Sequence, residues 1–151
     1  ISGKILSTPK VFDTAIILGK KSGKIFSTEV LKSEIPYPLL KTFPLNLPDI
    51  WKNSIELLIA GPLKTDLNGK VGLILIGQPS EDQTKLFSDQ LRQSLNGKEL
   101  IISHKLVELN ACQKQLILIS PGNITFRELQ LLKEDLLIQR KNIVGWVLLE
   151  S

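Results

Sequence analysis

Short apolar runs alternate with amphipathic segments along this chain of 151 residues. Four runs rich in leucine, isoleucine and valine have the length of buried strands: 71–76, 100–102, 115–120 and 143–149. Apolar residues recur at helical spacing in three segments between them: 49–60, 84–95 and 125–142. This alternation predicts an α/β fold in three layers, with a mostly parallel sheet and helices on both faces.

The first 48 residues give a weaker pattern. Val11–Leu18 is apolar enough for a strand or a short helix, and Ser27 or Thr28 can cap a short helix. Residues 36–48 contain four prolines, which predict an extended connector lying across the domain surface. The expected organisation is one compact unit with two parts, an N-terminal extension with its connector (1–48) and the α/β domain (49–151).

Two of the helices have predicted starting residues. Asp49 follows Pro48 and can cap helix 49–60, whose inward face begins at Trp51. Thr125-x-x-Glu128 has the form of a capping box, in which each residue bonds the backbone of the other. Both helices would then turn an apolar face towards the sheet.

The loop after the first apolar run has the register of a phosphate-binding P-loop. Gly77 and Thr84 stand at the first and last positions of G-x-x-x-x-G-K-S/T. Asp82 replaces the second glycine, Gln83 replaces the lysine, and Glu81 adds another carboxylate. We therefore expect an ordered, empty loop without cofactor or metal, in which Thr84 caps the following helix instead of binding magnesium.

Composition narrows the classes of function. The net charge is +4 and aromatic residues make up 5% of the chain, without a basic stripe carrying stacking residues, which argues against nucleic-acid binding. A solvated basic surface is the simpler interpretation, and a weak attraction to anionic lipids is the alternative. No apolar run reaches the length of about 18–20 residues needed to span a membrane. Since the chain begins at Ile1 and has no methionine, we expect it to belong to a longer protein, with any membrane segment outside it.

Two further residues could carry chemistry. His104, the one histidine, has no partner at the spacing that acid–base or metal chemistry needs, and a surface or structural role is expected. Cys112, the one cysteine, excludes an internal disulfide and fits a reducing compartment, where we expect a half-buried thiol.

The order of the segments resembles the cytoplasmic domain of bacterial tyrosine kinases of the polysaccharide copolymerase, or chain-length determinant, family. The similar segments are, in order, IPYPLLKTFP, PDIWKNSIELLIAGPL, KVGLILIGQPSEDQTKLFSDQL, QLILISPGNITFRELQLLKEDL and NIVGWVLLES. Inside the loop, Pro79, Glu81 and Thr84 match the family's P-G-E-G-K-S/T. The resemblance implies a truncated fold of the P-loop NTPase type and aligns helix 49–60 with an oligomerisation helix.

The catalytic residues of that family are missing from this chain. Ser103-His104 stands where the resemblance places a first aspartate, and Ser120 stands at the end of the strand expected to carry a second one. These two serines leave no acidic metal ligand at the strand ends. The family's tyrosine-rich tail is also absent, since the one tyrosine is Tyr37.

The resemblance implies a non-catalytic domain at the cytoplasmic face of the inner membrane. It would belong to a membrane-associated chain-length or export protein for capsule, exopolysaccharide or O-antigen, and act in assembly or regulation. Its partners would be further copies or other polysaccharide-assembly proteins. Asp49, Trp51 and Lys52 are the candidate contact residues, and core packing is the alternative role for Trp51. Two alternatives stay open: an active or weakly active ATPase or tyrosine kinase of the same family, and a nucleotide-binding or small-ligand-binding module.

Overall fold

The computed structural model describes residues 23–139 and 142–150, so the predicted element Val11–Leu18 lies outside the described residues. The strands are β1 (Leu39–Pro44), β2 (Val71–Leu75), β3 (Leu100–Ser103), β4 (Lys114–Ile119) and β5 (Ile143–Glu150). The α-helices are α1 (Thr28–Glu34), α2 (Trp51–Ala60), α3 (Glu81–Leu95) and α4 (Phe126–Ile138). Two 3-10 helices span Pro48–Ile50 and Leu106–Leu109.

The described strands form one sheet of five in the order β1-β5-β4-β2-β3, and every neighbouring pair is parallel. The expected parallel α/β fold in three layers is therefore confirmed. Because all strands run the same way, their carboxyl ends meet at one edge of the sheet. β1 and β3 are the outer strands, and the connection from β3 to β4 passes over β2.

The two faces of the sheet are buried by different helices. Along β4, Leu116 and Leu118 belong to one apolar cluster, whereas Ile117 and Ile119 belong to the other. Helices α2 and α3 contribute to the first cluster. Helices α1 and α4 and the Leu106–Leu109 helix contribute to the second, so both faces of β4 are covered.

The sequence predicts a connector outside the sheet over residues 36–48, but part of this segment forms strand β1. Residues 39–44 pair with β5 in parallel, and Phe43, opposite Leu149, is 1% exposed. The amide N–H of Trp146 reaches across to the carbonyl of Pro38. Prolines lack an N–H donor, but they are tolerated at the ends of an edge strand, where Pro38 and Pro44 lie.

The helix starts agree with the sequence in two cases and differ in a third. Ser27 caps α1, and both bonds of the predicted box at Thr125 and Glu128 are present, at 3.1 and 2.8 Å. The prediction for Asp49 is wrong, because this exposed residue lies inside the 3-10 helix and caps nothing in the described chain. The 3-10 helix leads directly into α2, and backbone carbonyls accept the N–H groups that a cap would have satisfied.

Three aromatic rings join β1, α2 and α3. Trp51 lies 5.6 Å from Phe43 and 6.1 Å from Phe87 between ring centroids, and its indole N–H donates to the carbonyl of Pro44 at 2.8 Å. Its side chain is 0% exposed. Of its two candidate roles, Trp51 therefore has the core role and not the interface role. Asp49 and Lys52 beside it are exposed.

We expect Trp51→Ala to lower the free energy of unfolding by about 3–5 kcal/mol, because it opens a cavity and leaves the Pro44 carbonyl without its donor. Lys52→Ala is the control on the same helix and should change stability by less than about 0.5 kcal/mol. Urea unfolding followed by circular dichroism measures both. A loss below about 1 kcal/mol for Trp51→Ala would contradict the packing described here.

Candidate functional site

The fold has a topological switch point between β2 and β4. The chain leaves β2 through α3 towards β3, and it leaves β4 through α4 in the opposite direction, towards β5. In open parallel sheets, ligands bind outside the carboxyl ends of the strands at such a point. The candidate site is therefore the crevice between the loop after β2, which includes Gly77, and the loop after β4.

Backbone contacts join the two loops across this crevice. The N–H of Gln78 donates to the carbonyl of Asn123 at 2.6 Å, across the space between the two loops. Gly77 has a φ of +79°, and a Cβ atom there would collide with the same carbonyl oxygen. Only glycine allows this approach, so the first residue of the P-loop pattern serves contact between loops in this chain.

Residues 23–26 lie against the other side of the β4 loop. Ile25 donates its N–H to Ile124 at 2.8 Å and accepts from Gly122 at 2.7 Å. The ring of Phe26 lies so close to Gly122 that a Cβ atom at that glycine would approach the ring to 2.7 Å. The backbone of the β4 loop is thus bonded to the protein itself on both sides.

Helix α3 begins earlier than the P-loop register predicts. Ser80 is its cap and accepts from the N–H of Gln83 at 3.4 Å, so the prediction that Thr84 caps this helix is wrong. Glu81 and Asp82 lie in the first turn, exposed, where the helix dipole favours carboxylates as expected. The side-chain oxygens of Gln83 and Thr84 are buried and have no hydrogen-bond partner among the described residues.

The loop residues line a cavity together with His104 and do not enclose a phosphate site. A cavity of 410 Å³ lies between α3 and the carboxyl end of β3, and its lining includes Pro79, Glu81, Thr84 and His104. His104 also borders a cavity of 240 Å³ on the α4 side of the sheet. Within the described residues, no three histidine, cysteine or acidic side chains are placed to hold a metal ion.

One acidic side chain at a strand end was not anticipated. The hydroxyl of Ser103 donates to the carboxylate of Glu108 and accepts from the N–H of Lys105 at 3.0 Å. Glu108 comes from the 3-10 helix after β3, but it belongs to no group of three side chains among the described residues that could hold a metal ion. At the end of β4, Ser120 instead donates to the carbonyl of Leu149 at 3.0 Å.

Cys112 lies at the opposite, amino edge of the sheet. It is 1% exposed, so the thiol is buried rather than half-buried, in van der Waals range of Gly72. Burial raises the pKa of the Cys112 thiol, and the nearby Lys70 opposes that rise. A neutral, inaccessible thiol of this kind is structural.

Comparison with known proteins gives no match: no family model fits the sequence, and neither a curated protein nor a solved structure is found to be similar. In the part of the chain that the structure describes, no helix has the length and apolarity to cross a membrane.

We expect Gly77→Ala to destabilise the protein more than Gly97→Ala. Both glycines have a positive φ, but only the Cβ at position 77 meets another atom. The strained backbone costs about 1–2 kcal/mol in each variant. The collision with Asn123 should add about 1–3 kcal/mol to Gly77→Ala alone. Equal free energies of unfolding for the two variants would show that the loops do not touch.

Proposed function

We propose that this chain is a non-catalytic α/β domain that acts through assembly or regulation rather than turnover. The observation that carries the proposal is the contact of Gly77 and Gln78 with Asn123, since it joins the two loops between which a ligand of this fold class would bind. A P-loop needs consecutive N–H groups that are free to face a triphosphate. Here the N–H of Gln78 is already bonded to protein.

The charges near this loop support the same proposal. Asp82 lies in the first turn of α3 at the position of the second P-loop glycine, where its carboxylate would repel the negative charges of a nucleoside triphosphate. Gln83 brings no positive charge to the position where a P-loop has lysine. These features favour the non-catalytic domain over the alternative of an active ATPase or tyrosine kinase.

The exposed side of α2 supports a role in assembly. Ile50 is 58% exposed and Leu57 is 65% exposed, close in sequence to the charged residues Asp49 and Lys52. Apolar side chains among charges on one side of a helix are typical of a protein contact. With the sequence resemblance, this surface suggests a domain of a polysaccharide chain-length or export protein that contacts its own copies or other assembly proteins at the cytoplasmic face of the inner membrane.

We expect magnesium-ATP and ADP to bind no more tightly than millimolar, and the purified chain to show neither ATP hydrolysis nor autophosphorylation. Titration calorimetry measures the affinity, and phosphate release measures turnover. Micromolar affinity, or magnesium-dependent turnover that Thr84→Ala abolishes, would contradict the proposal.

The double variant Asp82→Gly, Gln83→Lys tests whether the charges of the loop or the contact between the loops excludes the nucleotide. It removes one carboxylate and restores the residues of a P-loop, but it leaves Gln78 bonded to Asn123. We expect its affinity for ATP to improve by less than tenfold. A gain of a hundredfold or more would show that the charges alone, and not the closed crevice, exclude the nucleotide.

In cells that carry the full-length protein, replacing Ile50 and Leu57 by serine should change the length distribution of the exported polysaccharide, because the α2 surface loses apolar area. Thr84→Ala is the matched control at the loop and should leave that distribution unchanged. Electrophoresis of the extracted polymer measures both. If Thr84→Ala changed the distribution and the two serine replacements did not, the function would lie in the loop and not in assembly.

A further inference from the structure

We infer that α3 carries a surface on which a second copy of this chain docks in the antiparallel direction. The surface consists of Glu81, Lys85, Asp89 and Arg92, which we name the α3 stripe. Its charges alternate along the helix as negative, positive, negative and positive. This inference goes beyond the proposed function, because it concerns another helix and does not depend on the identity of the polymer or on the α2 surface.

The four residues share one side of the helix. At 3.6 residues per turn their directions fall within about 80° of the helix circumference. They lie beside the buried face of α3, which carries Phe87, Leu91 and Leu95. The side chain of Lys85 is 73% exposed, that of Asp89 is 43% exposed and that of Arg92 is 52% exposed, and Glu81 is also exposed. All four charges are therefore accessible to a partner.

The order of the charges makes the stripe complementary to itself. If a second α3 runs antiparallel, Glu81 faces the second copy's Arg92, and Lys85 faces its Asp89. A rise of 1.5 Å per residue separates Glu81 from Lys85 by about 6 Å and Asp89 from Arg92 by about 4.5 Å, so the pairs match within about 1.5 Å. A twofold axis repeats each pair, which gives four attractive pairs and no opposed like charges. A parallel partner would place every charge opposite its own kind.

Pairs within the helix involve three of the four charges and leave out Glu81. Lys85 bonds Asp89 at 2.8 Å, and Arg92 lies 3.9 Å from the same carboxylate. A basic residue that precedes its acidic partner by four positions is the less favourable order for helix stability. Glu81 precedes Lys85 in the better order, yet no ion pair of the described residues involves Glu81. One carboxylate of the stripe is thus left for a partner.

The surroundings of the stripe leave room for a second helix. Thr84 and Ser88, which adjoin the stripe, have short side chains and line the cavity of 410 Å³ that separates α3 from His104. On this side the sheet ends at β3, which pairs with β2 alone within the described sheet. A neighbouring helix could therefore approach the stripe over the sheet edge without meeting another layer.

The contact should be weak and sensitive to salt. Exposed ion pairs each contribute little, and ions screen them over about 8–10 Å at physiological ionic strength. The alternation therefore selects the orientation of the partner more than it supplies affinity. We expect a dimer that forms at low salt and dissociates at high salt.

Sedimentation velocity of the full chain at 20 mM and 500 mM salt tests the inference. We expect the wild type to dimerise at low salt, with a dissociation constant at least tenfold higher at high salt. Lys85→Glu places like charges opposite Asp89 twice in each dimer, and should weaken association at low salt at least tenfold. Lys64→Glu, which makes the same charge change at an exposed position outside α2 and α3, is the control and should leave this dimer within threefold of the wild type.

The decisive variant reverses all four charges at once, as Glu81→Lys, Lys85→Glu, Asp89→Lys and Arg92→Glu. The reversed stripe is again complementary to itself, and its net charge is unchanged. It should therefore associate with itself within threefold of the wild type, although Lys85→Glu alone does not. Circular dichroism checks that each variant is folded.

Three results would overturn the inference: a wild type that stays monomeric at low salt, a Lys85→Glu variant that associates as well as the wild type, or a folded variant with all four charges reversed that does not associate at low salt. A dimer that Lys52→Glu disrupts and Lys85→Glu does not would instead assign self-association to α2. That outcome would leave the proposed function standing, and the ATP measurements test the proposed function separately.

Discussion

Parallel pairing of β2, β4 and β5 sets most of the architecture. A parallel strand in the middle of a sheet must be covered on both faces, because its connections pass over the faces as helices. Both central strands are covered in this way. β2 and most of β4 are buried, and the side chains of β4 alternate between two apolar clusters. The helices that return the chain then form the outer layers, and every carboxyl end is left at the same edge.

The same pairing explains why the candidate site is closed. β2 and β4 are neighbours, so the loops that follow them emerge side by side and must bond to water, to a ligand or to each other. In this chain Gln78 bonds Asn123, and residues 23–26 bond the β4 loop from the other side. Ligands of open parallel sheets bind between loops at this position, and in this chain the same loops join segments of the protein itself.

The sequence predicted the parts of the fold that depend on local pattern. The buried strands and the capping box at Thr125 follow from runs of apolar residues and from spacing, and the structure agrees with both. The start of α3 could also have been found, because Ser80-x-x-Gln83 has the same capping form as Thr125-x-x-Glu128. The P-loop register instead predicts Thr84 as the cap.

Other features depend on contacts between distant residues, which local pattern does not contain. β1 has polar residues at 41 and 42 and is flanked by prolines, so only its pairing with β5 identifies it as a strand. The bond between Gln78 and Asn123 joins residues 45 positions apart, and Trp51 is buried because rings from two other elements enclose it. For the same reason the sequence did not separate a core tryptophan from an interface tryptophan.

The loop and the charges of α3 are linked through Glu81. Glu81 matches the P-loop pattern of the family that the chain resembles, whereas Asp82 beside it stands in place of a glycine and brings a carboxylate to the phosphate position. The helix dipole favours both acidic residues in the first turn of α3. Glu81 is also the end of the α3 stripe that completes the alternation, and without it a docked copy's Arg92 would face no carboxylate. A residue that fits the loop pattern therefore also supplies the charge that makes the α3 stripe complementary to itself.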